Sequence, residues 1–385
     1  MKIAFIGQKG IPAKFGGVEK HVEQLSLGLA EKGHAVFVYT RPWYTASIRK
    51  SYRNVNLISI RSIHSKHLDA ITHTLFSTLH AIRNRYDVIH YHGVGPSLLS
   101  FIPRLFSPRT KIVTTFHCID RLHQKWGSFA RAMLKFGEWT SVKFAHRTIT
   151  VSHCLTTYCK DKFKKETSYI PNGVNLHSNV KADLINQKFG LEKDSYILFL
   201  SRLIRHKGVH HLINAYNKIV TDKKLVIAGG ASFTDSYERE IKQLAKDNPN
   251  IIFIGNVEGE SDTWKELFSN AYLLVHPSES EGLPIVLLEA MSFGRAILAS
   301  DIPENKEVID SKYGLTFKNK SVVDLKEKIE YALLYPNVVA KVGQDCVAHV
   351  EKNYNWVEIV ANVEKVYEGL ADEGRVENVV VEVGN

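Results

Sequence analysis

The sequence predicts an α/β protein, with two Rossmann-like domains in tandem and parallel sheets facing a central cleft. Three observations carry this reading. Short β-branched runs alternate with amphipathic stretches along the chain, the rhythm of parallel strands joined by right-handed crossover helices. At 385 residues the chain exceeds what one ordinary core organises. A Pro-Asn-Gly turn within Tyr169–Asn175, followed by a polar stretch to about Ser195, interrupts the rhythm once. The domains are therefore placed at residues 1–175 and 190–355.

Taken in order, the first domain offers strand-like runs at Lys2–Ile6, Ala35–Thr40, Asn56–Ile60, Val88–Tyr91, Lys111–Phe116 and Thr148–Val151. Between most of them lie helix-like segments at Val18–Glu31, His67–Asn84, Phe129–Phe144 and Ser152–Phe163. The second domain repeats the pattern. Its strands are expected at Tyr196–Leu200, Leu225–Ala228, Ile251–Ile254, Tyr272–Val275 and Ala296–Ala299. Its helices are expected at Val209–Val220, Tyr237–Asp247, Pro284–Phe293 and Val322–Leu334. One more amphipathic helix, residues 356–370, is available to pack back on the first domain, and Ala371–Asn385 reads as a frayed end.

Composition narrows the class. With 44% apolar and 23% charged residues the chain reads as a soluble globular protein. Met1–Gly7 runs straight into a strand with no apolar leader, and no apolar run nears the ~20 residues needed to span a bilayer. The expected location is the cytoplasm, peripheral on the inner membrane face. Cys118, Cys154, Cys159 and Cys346 form no zinc or redox spacing and read as reduced. A catalytic thiol at Cys118, beside His117, ranks low.

The net charge of +10 is uneven: residues 1–180 carry 26 basic against 9 acidic residues, while the remainder is net acidic. Such a surplus points the first half toward something anionic. No zinc-finger, RNA-recognition or basic heptad signature is present, so nucleic acid is set aside. An anionic membrane surface fits better. Ser97–Lys111 and Leu122–Phe144, which mix Phe and Trp with Lys and Arg, are the candidate contact stretches, though core-packed helices explain either alone.

Chemistry concentrates at four places. Glu281-Gly-Leu-Pro-Ile-Val-Leu-Leu-Glu289, after His276-Pro-Ser278, reads as strand, loop and helix. Pro284 suits the first helical turn, and the backbone around Gly282, Leu283, Pro284 and Ile285 would present N–H groups to a diphosphate. Glu289 is placed to accept from a ribose diol, and Glu281 to hold sugar hydroxyls or face a positive anomeric carbon. A helix-capping acid and a surface glutamate are the bland alternatives. Ser201-Arg-Leu-Ile-Arg-His-Lys207-Gly208 follows the apolar run YILFL. Arg202 and Lys207 would grip phosphate at a strand end, and cations at a helix start are unfavourable unless an anion joins them.

The Gly-rich loop from Gly7 to Gly17 opens a helix, but it is not a dinucleotide fingerprint, and the second strand ends without an acidic residue. Glu19 divides evenly between helix capping and function, while Lys20 and His21 read as surface or acceptor-side. Thr114-Thr-Phe-His117 ends another strand, where His117 could bond a sugar hydroxyl. A locally satisfied histidine rivals that role, more heavily still for His90 and His92. The chain contains no Asp-x-Asp pair, so the usual ligands of a metal-diphosphate clamp are missing; no metal and no cofactor are expected.

The order GGVE, TFH, IPNGV, SRL…KG and SESEGLP…E resembles family-4 retaining glycosyltransferases of the GT-B fold over nearly the whole chain. GQKGIPAKFGGVE is similar to a bacterial rhamnosyltransferase-like subgroup that builds surface polysaccharide. The resemblance implies backbone contact of Gly16 and Gly17 with a nucleotide diphosphate sugar. It implies that His117 binds the donor sugar, Arg202 and Lys207 the phosphates, Glu281 the sugar beside Gly282–Pro284, and Glu289 the ribose. Val257 and Glu258 would line the base pocket, a weaker transfer. The family usually has an acidic residue where this chain has His206, which leaves local ion pairing open. The implied acceptor is a glycan or a lipid-diphosphate-linked sugar. A nucleotide-sugar 2-epimerase would act on donor alone, and a non-catalytic nucleotide-sugar-binding subunit would give no product.

Overall fold

The computed structural model describes all residues except 47–48, 64, 66–67, 123–125, 232–234, 311 and 383–385. The chain divides into two compact units, residues 1–172 with 356–385, and residues 173–355.

The first unit is built on eight strands: β1 Lys2–Ile6, β2 Ala35–Thr40, β3 Ser51–Tyr52, β4 Val55–Ser59, β5 Val88–His92, β6 Lys111–Phe116, β7 Arg147–Thr150 and β8 Ser168–Tyr169. Their order across the sheet is β3-β4-β2-β1-β5-β6-β7-β8, and only β3 runs antiparallel. Ile3 lies opposite Val36 on one side and Val88 on the other. Strands this apolar need cover on both faces. The helix Gly17–Glu31 covers one face with Val22, Leu25 and Leu29, and the C-terminal helix from Trp356 joins it through Ile359, Val360, Val363 and Tyr367. Helix Asp69–Arg83 serves the other face, where Ala81 joins a core with Tyr39, Ile89 and Tyr91.

The second unit carries β9 Tyr196–Leu200, β10 Lys224–Ala228, β11 Ile251–Gly255, β12 Leu273–His276, β13 Ile297–Ser300 and β14 Leu315–Phe317. All are parallel, in the order β11-β10-β9-β12-β13-β14. One core gathers Ile197, Leu225, Val275 and Leu298 under the helices Val209–Tyr216 and Val322–Leu334.

Several expectations need correction. The helix begun at Val209 ends at Tyr216, not Val220, because Lys218 and Ile219 turn back three residues to Ala215 and Tyr216. Pro284 stands just outside its helix with extended backbone, and the helix proper is Ile285–Ser292. The C-terminal helix continues to Glu382 instead of stopping near 370. The polar stretch before Ser195 holds a helix, Leu184–Phe189, and two longer helices, Asp262–Asn270 and Pro336–Asn353, were not anticipated. The first of those two has a readable start, since Ser261 Oγ accepts from Trp264 N at 3.2 Å.

Candidate functional site

In the second unit the strand order reverses between β9 and β12. From β9 the sheet proceeds to β10 and β11, and from β12 to β13 and β14. Loops leaving two such strands diverge, and open α/β sheets bind ligands in the gap. The loop after β9 contains Arg202 and Lys207, and the loop after β12 contains Pro277 to Pro284. Two motifs 74 residues apart are thereby brought to one place.

The contact between them is tight. Gly208 takes φ +70°, and a Cβ there would lie 1.9 Å from the Pro277 carbonyl oxygen, so only glycine lets the loops meet. Glu279 N donates to His206 O at 2.7 Å, and Ser278 Oγ to the same oxygen at 3.2 Å. Lys207 Nζ pairs with Glu281 Oε1, and His276 Nε2 reaches that oxygen at 2.8 Å. All three side chains are nearly buried. Burial opposes the charge on Glu281, but Lys207 and His276 outweigh it and hold the carboxyl well below its ordinary range. Burial pulls His276 down against the attraction of Glu281, so its Nε2–H donates as a neutral imidazole.

The anion that meets Lys207 is thus Glu281 itself, which answers in part the electrostatic argument for a phosphate. Arg202 is different. It stands half-buried after β9, and no hydrogen bond or ion pair joins its guanidinium to another described residue. Gly282, Leu283 and Pro284 are buried beside Glu281. Glu289, one turn after Ile285, is buried at 7% exposure rather than on the surface. Val257 and Glu258 line a cavity of about 200 Å³ with Lys188, Phe189, Asn256 and Ser261.

The first unit has its own reversal, between β1 and β5. The loop after β1 is braced from several sides. Glu19 Oε1 accepts from Lys9 N at 3.1 Å, Glu23 Oε2 from Ala13 N at 2.9 Å, and Tyr44 Oη from Lys14 N at 2.7 Å. Glu19, 6% exposed, folds back over Gly16, whose Cβ would lie 2.0 Å from Glu19 Oε2. Its visible work is to shape the loop. Gly16, at φ +104°, immediately precedes the helix that Gly17 begins.

His117 follows β6 and is 8% exposed. Sequence reasoning missed its company. His21, read from the sequence as surface or acceptor-side, is buried because its helix face packs on the sheet; its ring meets those of His117 and His92, and His90 lies against His92. His21 Nδ1 bonds Asn172 Oδ1 at 2.9 Å, and His92 Nδ1 lies 3.3 Å from His117 Nε2. His90 is satisfied by Tyr367 Oη at 2.6 Å and Thr115 Oγ1 at 2.7 Å. Burial pushes His21 down to about 4 despite the Asn172 bond, and burial and then mutual repulsion push His90, His92 and His117 well below the usual histidine range. These imidazoles are neutral near pH 7. The pattern His90-x-His92 with His117 at adjacent strand ends was the available signal.

Two family descriptions match the chain, Glycosyltransferase Family 4 over residues 15–178 and Glycosyl transferases group 1 over residues 181–345. The phosphatidyl-myo-inositol mannosyltransferase of Mycolicibacterium smegmatis is 26% identical over 376 residues, 93% of this chain and 92% of that protein. The sucrose-phosphate synthase of Thermosynechococcus elongatus superposes with a TM-score of 0.84 at 22% identity, covering 97% of this chain and 99% of its own. Anabaena HepE, solved in complex with UDP-glucose, superposes with a TM-score of 0.79 at 19% identity, covering 96% and 100%.

Proposed function

This chain belongs to the group 1 and family 4 glycosyltransferases of the GT-B fold, and from that premise we propose a specific activity. It moves a sugar from a nucleotide diphosphate to a glycan or lipid-linked acceptor, with retention at the anomeric carbon and without a metal. The setting is bacterial surface polysaccharide synthesis at the cytoplasmic membrane face. A relative named for transfer to a phosphatidylinositol and a structural neighbour holding UDP-glucose support the acceptor and donor classes.

The observation that carries the proposal is the Lys207–Glu281–His276 constellation at the reversal of the second sheet, with the unengaged Arg202 on the same strand end. A donor diphosphate meets Arg202 as a rigid fork and draws Lys207 from Glu281 toward its oxygens. The two cations stabilise the negative charge that develops on the leaving group. Glu281, kept ionised by its neighbours, accepts sugar hydroxyls and faces the positive charge growing at the anomeric carbon. Glu289 takes the ribose diol, and the loop at Val257 takes the base. For the first unit, the family resemblance assigns backbone contact with the diphosphate to Gly16 and Gly17, and the donor sugar to His117. The acceptor hydroxyl enters on the face that the diphosphate leaves, giving its proton to a phosphate oxygen.

The test is transfer from a panel of nucleotide sugars to lipid-diphosphate and glycan acceptors. Glu281→Ala, and the pair Arg202→Ala with Lys207→Ala, are expected to lower kcat on the order of 10²–10³ for each lost interaction, with far-UV circular dichroism unchanged. Wild-type turnover by the double variant overturns the assignment. So does turnover that a chelator abolishes and magnesium restores, while conversion of the donor without acceptor would favour an epimerase.

A further inference from the structure

The buried histidines of the first unit hold more than a sugar contact requires. His21, His92 and His117 each bring one ring nitrogen within 4.8 Å of the other two. Their ring centroids are 4.8 Å apart for His21 and His117, 5.5 Å for His21 and His92, and 5.6 Å for His92 and His117. Three imidazoles bound to one tetrahedral zinc ion at 2.0–2.1 Å place neighbouring nitrogens about 3.3 Å apart. The separation of His92 Nδ1 from His117 Nε2 is 3.3 Å.

Two further details point to a missing partner. His21 Nε2 is buried without a hydrogen-bond partner among the described residues. Interior ring nitrogens are rarely left so, since the lost hydration is not replaced. His21 Nδ1 is meanwhile fixed by the Asn172 side-chain oxygen, the outer contact that orients a metal-bound histidine and directs its other nitrogen inward. His90 touches the cluster, but both its nitrogens are committed to Tyr367 and Thr115. The ligand set is then three neutral imidazoles and no carboxylate, which selects zinc and similar first-row ions over magnesium or calcium.

We propose that His21, His92 and His117 form a binding site for a single divalent transition ion of the zinc class. The ion takes no part in holding the diphosphate. Insofar as His117 serves the donor sugar, which rests on the reading above, occupancy withdraws it, and the ion inhibits transfer.

Binding is measured on the full chain, stripped of metal and without substrates. One Co²⁺ per chain is expected to give the visible absorption of tetrahedral nitrogen coordination, lost on adding one equivalent of Zn²⁺. Zn²⁺ is expected to raise Tm by roughly 2–4 °C, and Mg²⁺ to leave it unchanged. His21→Gln and His92→Gln should each weaken binding on the order of tenfold or more. His211→Gln, in the separate group His210, His211 and Glu279, should leave it intact. Absence of both the Co²⁺ spectrum and the Tm shift in the wild type overturns the site, as does affinity that follows His211 instead. Zn²⁺ that binds here without slowing transfer overturns the inhibition and the role of His117, while binding in a chain with no transfer at all counts against the glycosyltransfer reading alone.

Discussion

The carboxylate of Glu281 is held from two sides, by Lys207 and by His276. Burial alone would raise its pKa; Lys207 and His276 reverse that. Below its ordinary value the folded carboxyl stays ionised, so the pair's contribution to stability is present above the unfolded pKa and is lost as pH falls through the lower, folded one. His276→Phe removes one of the two groups that hold the charge. The acid limb of kcat/KM is then expected to move to higher pH, and kcat to fall about tenfold, the scale of one hydrogen bond to a charged group. His276→Gln keeps an N–H donor and should recover most of both. A pH–rate profile unchanged in His276→Phe would reduce His276 to packing. Arg202, Lys207, Glu281 and Glu289 were legible as candidates because their motifs stand at strand–loop–helix junctions. The pairing of Lys207 with Glu281 was not, since it follows from β9 lying beside β12, a neighbour relation that spacing along the chain does not contain. The histidine cluster was hidden for the same reason: His21 comes from a helix, and its periodicity gave no sign of which strand ends it would meet.

Among the elements, the C-terminal helix has the largest consequence for the first unit. Trp356, Ile359, Val360, Val363, Tyr367 and Leu370 are all buried in the core that β1, β2 and the helix Gly17–Glu31 form. Each such side chain is worth about 1.5–3 kcal/mol of burial, which together rivals the ~5–15 kcal/mol stability of a typical domain. Tyr367 also satisfies His90 at 2.6 Å. A chain of residues 1–172 alone is therefore expected to aggregate or remain molten. The same segment joined to residues 356–373 through a flexible linker should show a cooperative thermal transition. Cooperative unfolding of residues 1–172 by themselves would refute this view of the helix. The apolar spacing of residues 356–370 announced a helix, and its continuation to Glu382 did not register because the polar run Ala371–Arg375 reads as a loose end. Helices such as Asp262–Asn270 escaped because their strongest signal is one serine cap, which a polar sequence conceals.

Across the whole molecule the charge is divided, with the basic surplus confined to residues 1–180. The structure adds where apolar surface accompanies it. Leu105 and Phe106 are 63% and 71% exposed, and Phe129 is 80% exposed. On the same helix as Phe129, Met133, Phe136 and Trp139 are also exposed, with Phe136 stacked on Trp139 at 5.4 Å and with Arg131 and Lys135 exposed among them. Core packing, the rival explanation for these stretches, would have buried those rings. Gly137, Glu138 and Thr140 face inward instead, Glu138 held by Arg121 at 2.8 Å and Lys162 at 3.0 Å. No described helix is long and apolar enough to cross a bilayer. We propose that these exposed rings and their neighbouring cations meet an anionic membrane surface, where aromatic insertion and cationic attraction act together. We expect the protein to float with vesicles containing anionic lipid and to remain in the soluble fraction with neutral ones. Replacing Phe129 and Phe136 by Ser should abolish flotation at 150 mM salt, and removing the charges of Arg131 and Lys135 should weaken binding and lessen its dependence on salt, because screening acts only on the electrostatic part. Both variants should retain transfer to a soluble acceptor. Equal flotation with neutral vesicles would deny the charge asymmetry any role, and flotation by the Phe129 and Phe136 double variant would move the contact elsewhere on the first unit.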